Sequence, residues 1–244
     1  AEGPLVGAQE FAHEVHGATG LGSLVLPDPA RGADSDDAVG WLVETTRAEE
    51  GLHLVPIGPL TNVALALRAD PGMADRVSSI TLMGGAALSV GNVTAAAEFN
   101  VYADPEAADE VFRSSAPLTM LGLNLTHQVR MGSAHGRVCA TFGTPVGDAM
   151  AELLEFYTTF HVAEEETEDG PVHDPCAVLA VTHPHLFDME SRPVHVEVDG
   201  THTRGMTVVD ERGPRAEGSH NCDVAYGADA EALIDLVMQA VRDA

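Results

Sequence analysis

Lysine is absent from this chain. All 12 basic residues are arginine, set against 38 aspartates and glutamates, for a formal net charge of −26. A surface so acidic repels polyanions, which argues against nucleic acid or an anionic membrane as a partner. Cysteine is scarce: Cys139, Cys176 and Cys222 are too few and too scattered for a disulfide scaffold or a zinc knuckle. They read as small buried hydrophobes of a reducing compartment. No run of about 18 apolar residues occurs, so no membrane-spanning helix is expected. The start also lacks the basic-then-apolar order of a secretory signal, and the expectation is a cytoplasmic protein. No G-x-G-x-x-G follows a strand with an acidic residue downstream, which argues against a dinucleotide enzyme.

What is present suits one sizeable α/β domain over residues 1–244, with 45% hydrophobic residues to build its core. Short apolar runs alternate with amphipathic stretches along the chain. That order predicts an open, mostly parallel, doubly wound (Rossmann-like) sheet flanked by helices. Its centre is the stretch from Met83-Gly84-Gly85 through Gly91-Asn92 to Glu98-Phe99-Asn100. Residues 80–83 form a buried strand that stops at a glycine pair, where the backbone can turn tightly or approach a ligand. Asn92, Glu98 and Asn100 then place two amides and a carboxylate within nine residues. Such groups suit a polyhydroxylated ligand, because each makes several hydrogen bonds. Asp104 caps a new helix with Pro105 in its first turn.

Other segments carry further expectations. Residues 52–57 read as a strand whose carboxyl end turns the Ile57 carbonyl towards the ligand-binding end of the sheet, or as an ordinary strand-to-helix turn. Asp34, Asp36 and Asp37 precede an amphipathic helix and read as caps. Residues 117–123 read as another buried strand. In the helix over 149–162, Tyr157 and His161 lie one turn apart and so face the same way, either as core or as a lid. Residues 164–169 read as a solvated acidic run, after which a turn delivers His173 and Asp174 to an apolar helix. Residues 194–198 and 207–210 read as a hairpin, 221–226 as a strand and 230–241 as the closing helix.

Six motifs together carry a resemblance that runs along nearly the whole chain. They are His16-Gly17-Ala18-Thr19-Gly20-Leu21-Gly22, Val55-Pro56-Ile57-Gly58-Pro59-Leu60-Thr61-Asn62, the central stretch, Gly122-Leu123-Asn124-Leu125-Thr126, Val172-His173-Asp174-Pro175, and Thr203-Arg204-Gly205-Met206-Thr207-Val208-Val209-Asp210. In this order they resemble the inosine-uridine preferring nucleoside hydrolase family. The resemblance implies hydrolysis of the N-glycosidic bond of purine or pyrimidine ribonucleosides by a calcium-bound water. It implies Asp174 and the Ile57 main-chain oxygen as calcium ligands, and Asp174, Met83, Asn92, Glu98 and Asn100 as substrate-binding residues, the last three on the ribose. His173 would protonate the leaving base, His16 would line the site, and Tyr157 and His161 would cover the base. The family's members are typically homodimers or homotetramers. One departure is clear: nothing here occupies the place of the family's opening DxDxGxDDA motif, so the amino-terminal strands and their carboxylates are expected to be missing. The alternative is therefore a non-catalytic or truncated relative that at most binds nucleosides.

Overall fold

The computed structural model describes residues 3–10, 17, 20–165 and 167–244, with the backbone alone over 160–165. Nine strands are described: β1 His53–Leu54, β2 Ser79–Met83, β3 Leu118–Leu121, β4 Arg130–Gly132, β5 Asp169–Pro171, β6 Phe187–Arg192, β7 Val194–Val196, β8 Thr207–Val209 and β9 Cys222–Ala228. The chain divides into two compact units. The first holds Ala33–Leu125, Cys176–Ala228 and the described residues up to Gln9; the second holds the described residues of Glu10–Gly32, Thr126–Pro175 and Asp229–Ala244.

The first unit is built on a five-stranded sheet in the order β1-β2-β3-β9-β6. The first four strands are parallel, and β6 closes the edge antiparallel to β9 with a bulge at Asp188/Met189. This is the expected mostly parallel α/β sheet. β2 and β3 are nearly all buried, as strands covered on both faces should be. Against them pack the helices Thr61–Ala69 and Pro105–Phe112, and the shared core includes Ile80, Leu82, Met120, Val111 and Phe112. Each such side chain removed from water contributes about 1.5–3 kcal/mol.

The caps follow the sequence. Asp37 accepts from Gly40 N at 2.7 Å and starts the helix Ala38–Ala48. Asp104 is fully buried and accepts from Ala107 N (3.2 Å), Thr61 Oγ1 (2.5 Å) and Leu5 N (3.0 Å), so one carboxylate caps a helix and ties two other segments to it.

Several segments differ from the sequence reading. The strand over 52–57 shrinks to two residues. Its neighbours still touch β2 through Ser78 N to Leu52 O (2.8 Å) and Met83 N to Pro56 O (3.0 Å), but Pro56 has no N–H to extend the ladder. β6 was not anticipated: it is an edge strand with Phe187 buried, Met189 and Arg192 half-buried, and Asp188, Glu190 and Ser191 exposed. The β7–β8 hairpin is present, with Val194 and Val196 inward and His195 exposed.

The second unit is organised by the long helix Pro145–Glu165, the helices Ser133–Cys139 and Ala230–Asp243, and an antiparallel ribbon of β4 and β5. The acidic run expected in solvent is partly used here. Asp169 lies within β5 and pairs with Arg130 at 2.7 Å, and Arg130 also donates to Thr167 Oγ1 at 3.0 Å.

No helix among the described residues is long and apolar enough to cross a membrane. All three cysteines are buried thiols outside any disulfide.

Candidate active site

Parallel strands deliver their carboxyl ends to one edge of a sheet, where loops can converge on a ligand. In the first unit that edge carries the segment leaving β2. Gly84 N donates to Leu121 O (3.3 Å) and Leu123 N to Gly85 O (2.9 Å). Ala87 N donates to Asn124 Oδ1 (3.0 Å), whose Nδ2 donates in turn to Ala225 O (2.8 Å). The chain leaving β2 is therefore fastened to β3 and β9 before it turns away. Gly85 has φ +73°, and a Cβ there would lie 2.7 Å from Thr207 Cγ2 and 2.9 Å from Met120 Sδ. Only glycine satisfies both demands.

Glu98 is buried and caps the short helix Phe99–Tyr102. Its Oε2 accepts from Gly85 N (2.9 Å), Asn100 N (3.0 Å) and Val101 N (3.4 Å), and its Oε1 from Asn100 N (3.0 Å). Asn100 Nδ2 donates to Met83 O (3.0 Å) and approaches Met83 Sδ (3.4 Å). Asn92 Oδ1 accepts from Phe99 N (2.9 Å). Met83, Asn92, Glu98 and Asn100 are thus brought into one hydrogen-bonded cluster spanning both ends of the loop. Among the described residues Asn92 Nδ2 and Asn100 Oδ1 have no protein partner. The cluster thereby offers one amide donor and one amide acceptor. Ile57 follows β1 at the same edge of the sheet; it is half exposed, and its carbonyl accepts no hydrogen bond among the described residues.

The second unit places His173 directly after β5. The β4–β5 register pairs Arg130 with Pro171, Met131 with Gly170 and Gly132 with Asp169, and Val172 N donates to Val129 O at 2.8 Å. Tyr157 donates its phenol to Pro171 O at 3.0 Å, so this side chain serves the ribbon. Thr126 Oγ1 lies 2.8 Å from His173 Nδ1, and the exposed His127 ring stands 5.7 Å from that of His173, tilted by 57°. Asp174 is the first residue of the helix Asp174–Thr182. His161 lies in the helix Pro145–Glu165, and its side chain is outside the described residues, as is all of His16.

Thr126, His127 and Thr207 have no role in the sequence reading, although Thr126 and Thr207 fall inside quoted motifs. Thr207 Oγ1 bonds both polar atoms of Ala86. The signal available was a hydroxyl residue of unassigned purpose within a recognised stretch.

A calcium ion takes six to eight oxygens. The Ile57 carbonyl, in the first unit, and the Asp174 carboxylate, in the second, are each oxygen donors of the kind a hard cation takes. Among the described residues no group of three or more His, Cys, Asp or Glu could hold a metal. The donor set fits a hard cation in kind and not in number.

Residues 1–235 match the family model described as inosine-uridine preferring nucleoside hydrolase. A pyrimidine-specific ribonucleoside hydrolase of Shewanella woodyi is 39% identical over 241 residues, covering 98% of this chain and 77% of that protein. One from an Enterobacter species is 42% identical over 212 residues, covering 86% and 67%. Among solved structures, a purine-preferring ribonucleoside hydrolase from Gardnerella vaginalis superposes with a TM-score of 0.90 at 31% identity, covering 98% of this chain and 77% of that one. The chain belongs to the inosine-uridine preferring nucleoside hydrolase family.

Proposed function

We propose that this protein hydrolyses the N-glycosidic bond of ribonucleosides, purine or pyrimidine, to free base and ribose. The observation that carries this reading is the Met83–Asn92–Glu98–Asn100 cluster, in which Asn92 Nδ2 and Asn100 Oδ1 are polar atoms without a partner among the described residues. A sugar hydroxyl donates one hydrogen bond and accepts others, so an amide N–H and an amide oxygen answer its two capacities. Glu98 completes the ribose-binding set, its carboxylate oriented beforehand by backbone donors. Contacts of this kind, fixed before the substrate arrives, act where positive charge develops on the sugar.

His173 gives its proton to the departing base, a role open to an imidazole because either ring nitrogen can carry the proton. When bound, calcium would supply an activated water, with the Asp174 carboxylate and the Ile57 carbonyl among its ligands. These two oxygens alone do not make up a coordination shell. We further propose a homodimer or homotetramer as the working form and the cytoplasm as its location.

Ribose release from inosine and from uridine, with calcium and with a chelator, tests the reading. The expected result is turnover that the chelator abolishes. Saturable binding of both nucleosides without ribose release, at any calcium concentration, would replace it with a nucleoside-binding role.

A further inference from the structure

The proposed ribose-binding residues lie on a loop that leaves β2 at Met83 and returns in the helix Phe99–Tyr102. Midway along it Leu88 and Val90 are exposed, so the loop's own side chains do little to fix its course. Its position has to come from its two ends, and both meet one stretch of the first unit, residues 204–207. This stretch closes the β7–β8 hairpin. Gly205 N donates to Glu197 O (2.7 Å), Glu197 N to Met206 O (2.9 Å) and Arg204 Nη1 to Val198 O (2.6 Å), so the turn is fastened across itself. Val194 and Val196 sit in the hydrophobic core and hold the hairpin to it. The turn therefore has a set position before any ligand arrives.

From that position it grips the loop three times. At the outgoing end, Thr207 Oγ1 donates to Ala86 O and accepts from Ala86 N. At the returning end, Gly205 is buried so closely that a Cβ would stand 2.8 Å from Tyr102 Cα and 3.2 Å from Ala97 Cβ, and its φ of +82° is one that glycine adopts without strain. Just beyond, Arg204 binds both carboxylate oxygens of Glu106 at 2.8 Å, in the helix Pro105–Phe112. The contacts at the returning end bear on the two amides directly. Ala97 O accepts from Asn92 N at 3.2 Å, and Tyr102 ends the helix that carries Asn100. We propose that Arg204, Gly205 and Thr207 are positioning residues of the ribose site: the hairpin turn clamps the outgoing and returning arms of the loop and so sets where Asn92 Nδ2 and Asn100 Oδ1 stand. This rests on the reading of those two amides as ribose-binding. The three residues act through the loop and not on the sugar.

Gly205→Ala pushes the turn away from Ala97 and Tyr102, Thr207→Val releases Ala86, and Thr207→Ser keeps the hydroxyl. Each is assayed on uridine in the wild-type chain and in a chain that also carries Asn92→Ala and Asn100→Ala. In the wild-type chain Gly205→Ala and Thr207→Val are expected to lower kcat/KM by roughly 10- to 100-fold, and in the doubly substituted chain by less than about 3-fold, because misplacing a group costs little once it is gone. Thr207→Ser recovers most of the activity. Equal losses in both chains, or a Thr207→Ser variant as impaired as Thr207→Val, would overturn the proposal. If Asn92→Ala with Asn100→Ala leaves kcat/KM unchanged, the ribose-binding reading fails instead. Hydrogen exchange gives a readout that needs neither turnover nor nucleoside. The amides of Asn92 and Phe99, bonded to Ala97 O and Asn92 Oδ1, should exchange faster in Gly205→Ala while those of β3 stay as slow as in the wild type. Arg204→Gln removes a partly exposed ion pair and leaves the packing in place, so it carries the same exchange test, with a smaller acceleration expected, to a chain whose folding is not at risk. Acceleration spread evenly over the first unit, or none at the two amides in either variant, would refute the clamp.

Discussion

Thr207 grips the backbone of Ala86 at both ends: its hydroxyl donates to Ala86 O at 2.7 Å and accepts from Ala86 N at 2.8 Å, across 121 residues of sequence. Thr207 is buried, and Ala86 belongs to the segment that leaves β2 for the ribose cluster. A hairpin strand and the site loop are thus joined by a single oxygen.

Replacing Thr207 with Val leaves the Ala86 N–H and C=O unpaired in a dry environment. A loss of about 1–3 kcal/mol is expected, read as a lower urea midpoint, whereas Thr207→Ser retains most of the stability. A shift under about 0.5 kcal/mol would mean that water replaces the hydroxyl.

Glu98 has a structural task beside its proposed contact with ribose. Glu98→Ala strands the amides of Gly85, Asn100 and Val101 and removes a helix cap, so a loss of about 2 kcal/mol or more is expected. Hydrogen exchange at the Gly85 amide distinguishes the two roles. It should be slow in the wild type and fast in the variant even without nucleoside; unchanged exchange would leave Glu98 with the substrate alone.

The Glu106–Arg204 pair predicts a pH dependence of stability. Arg204 donates through Nη1 and Nη2, both at 2.8 Å, and these hydrogen bonds hold the Glu106 carboxyl below its ordinary value, against partial burial that acts the other way. A depressed carboxyl contributes stability that is fully present above its unfolded pKa and is lost as pH falls through the folded one. The pair is partly exposed, so its contribution is about 1 kcal/mol or less. Urea midpoints of wild type and Glu106→Gln should differ at pH 7 and converge only once the pH has fallen below the ordinary carboxylate range. A difference that persists at low pH would assign the effect to packing.

Much of the first unit was legible in the residues. β2 and β3 announce themselves as apolar runs that stop at glycine, and Asp37 and Asp104 stand where helix caps belong. The β4–β5 ribbon was not legible. Arg-Met-Gly against Asp-Gly-Pro has no alternation to read, and its stability comes from Arg130 and Tyr157, whose partners are fixed only by tertiary placement. β6 was hidden for a related reason, since an edge strand bearing Asp188, Glu190 and Arg192 reads as a polar loop. Of the site, the residue types near β2 were legible, but their mutual bonding was not. Asn92, Glu98 and Asn100 first bind the protein's own backbone, a division of labour that sequence spacing does not encode.

The three buried thiols supply a built-in clock. Cys139 belongs to the second unit, where burial raises its pKa and it donates weakly to Met238 Sδ at 3.7 Å, while Cys176 and Cys222 belong to the first. Burial also pushes the Cys222 thiol up, so its thiolate is suppressed as well as sheltered. An alkylating reagent can therefore modify each sulfur only when the surrounding structure opens. Labelling at Cys139 timed against labelling at Cys176 and Cys222 converts native opening of the two units into two separately countable masses, with no engineered probe.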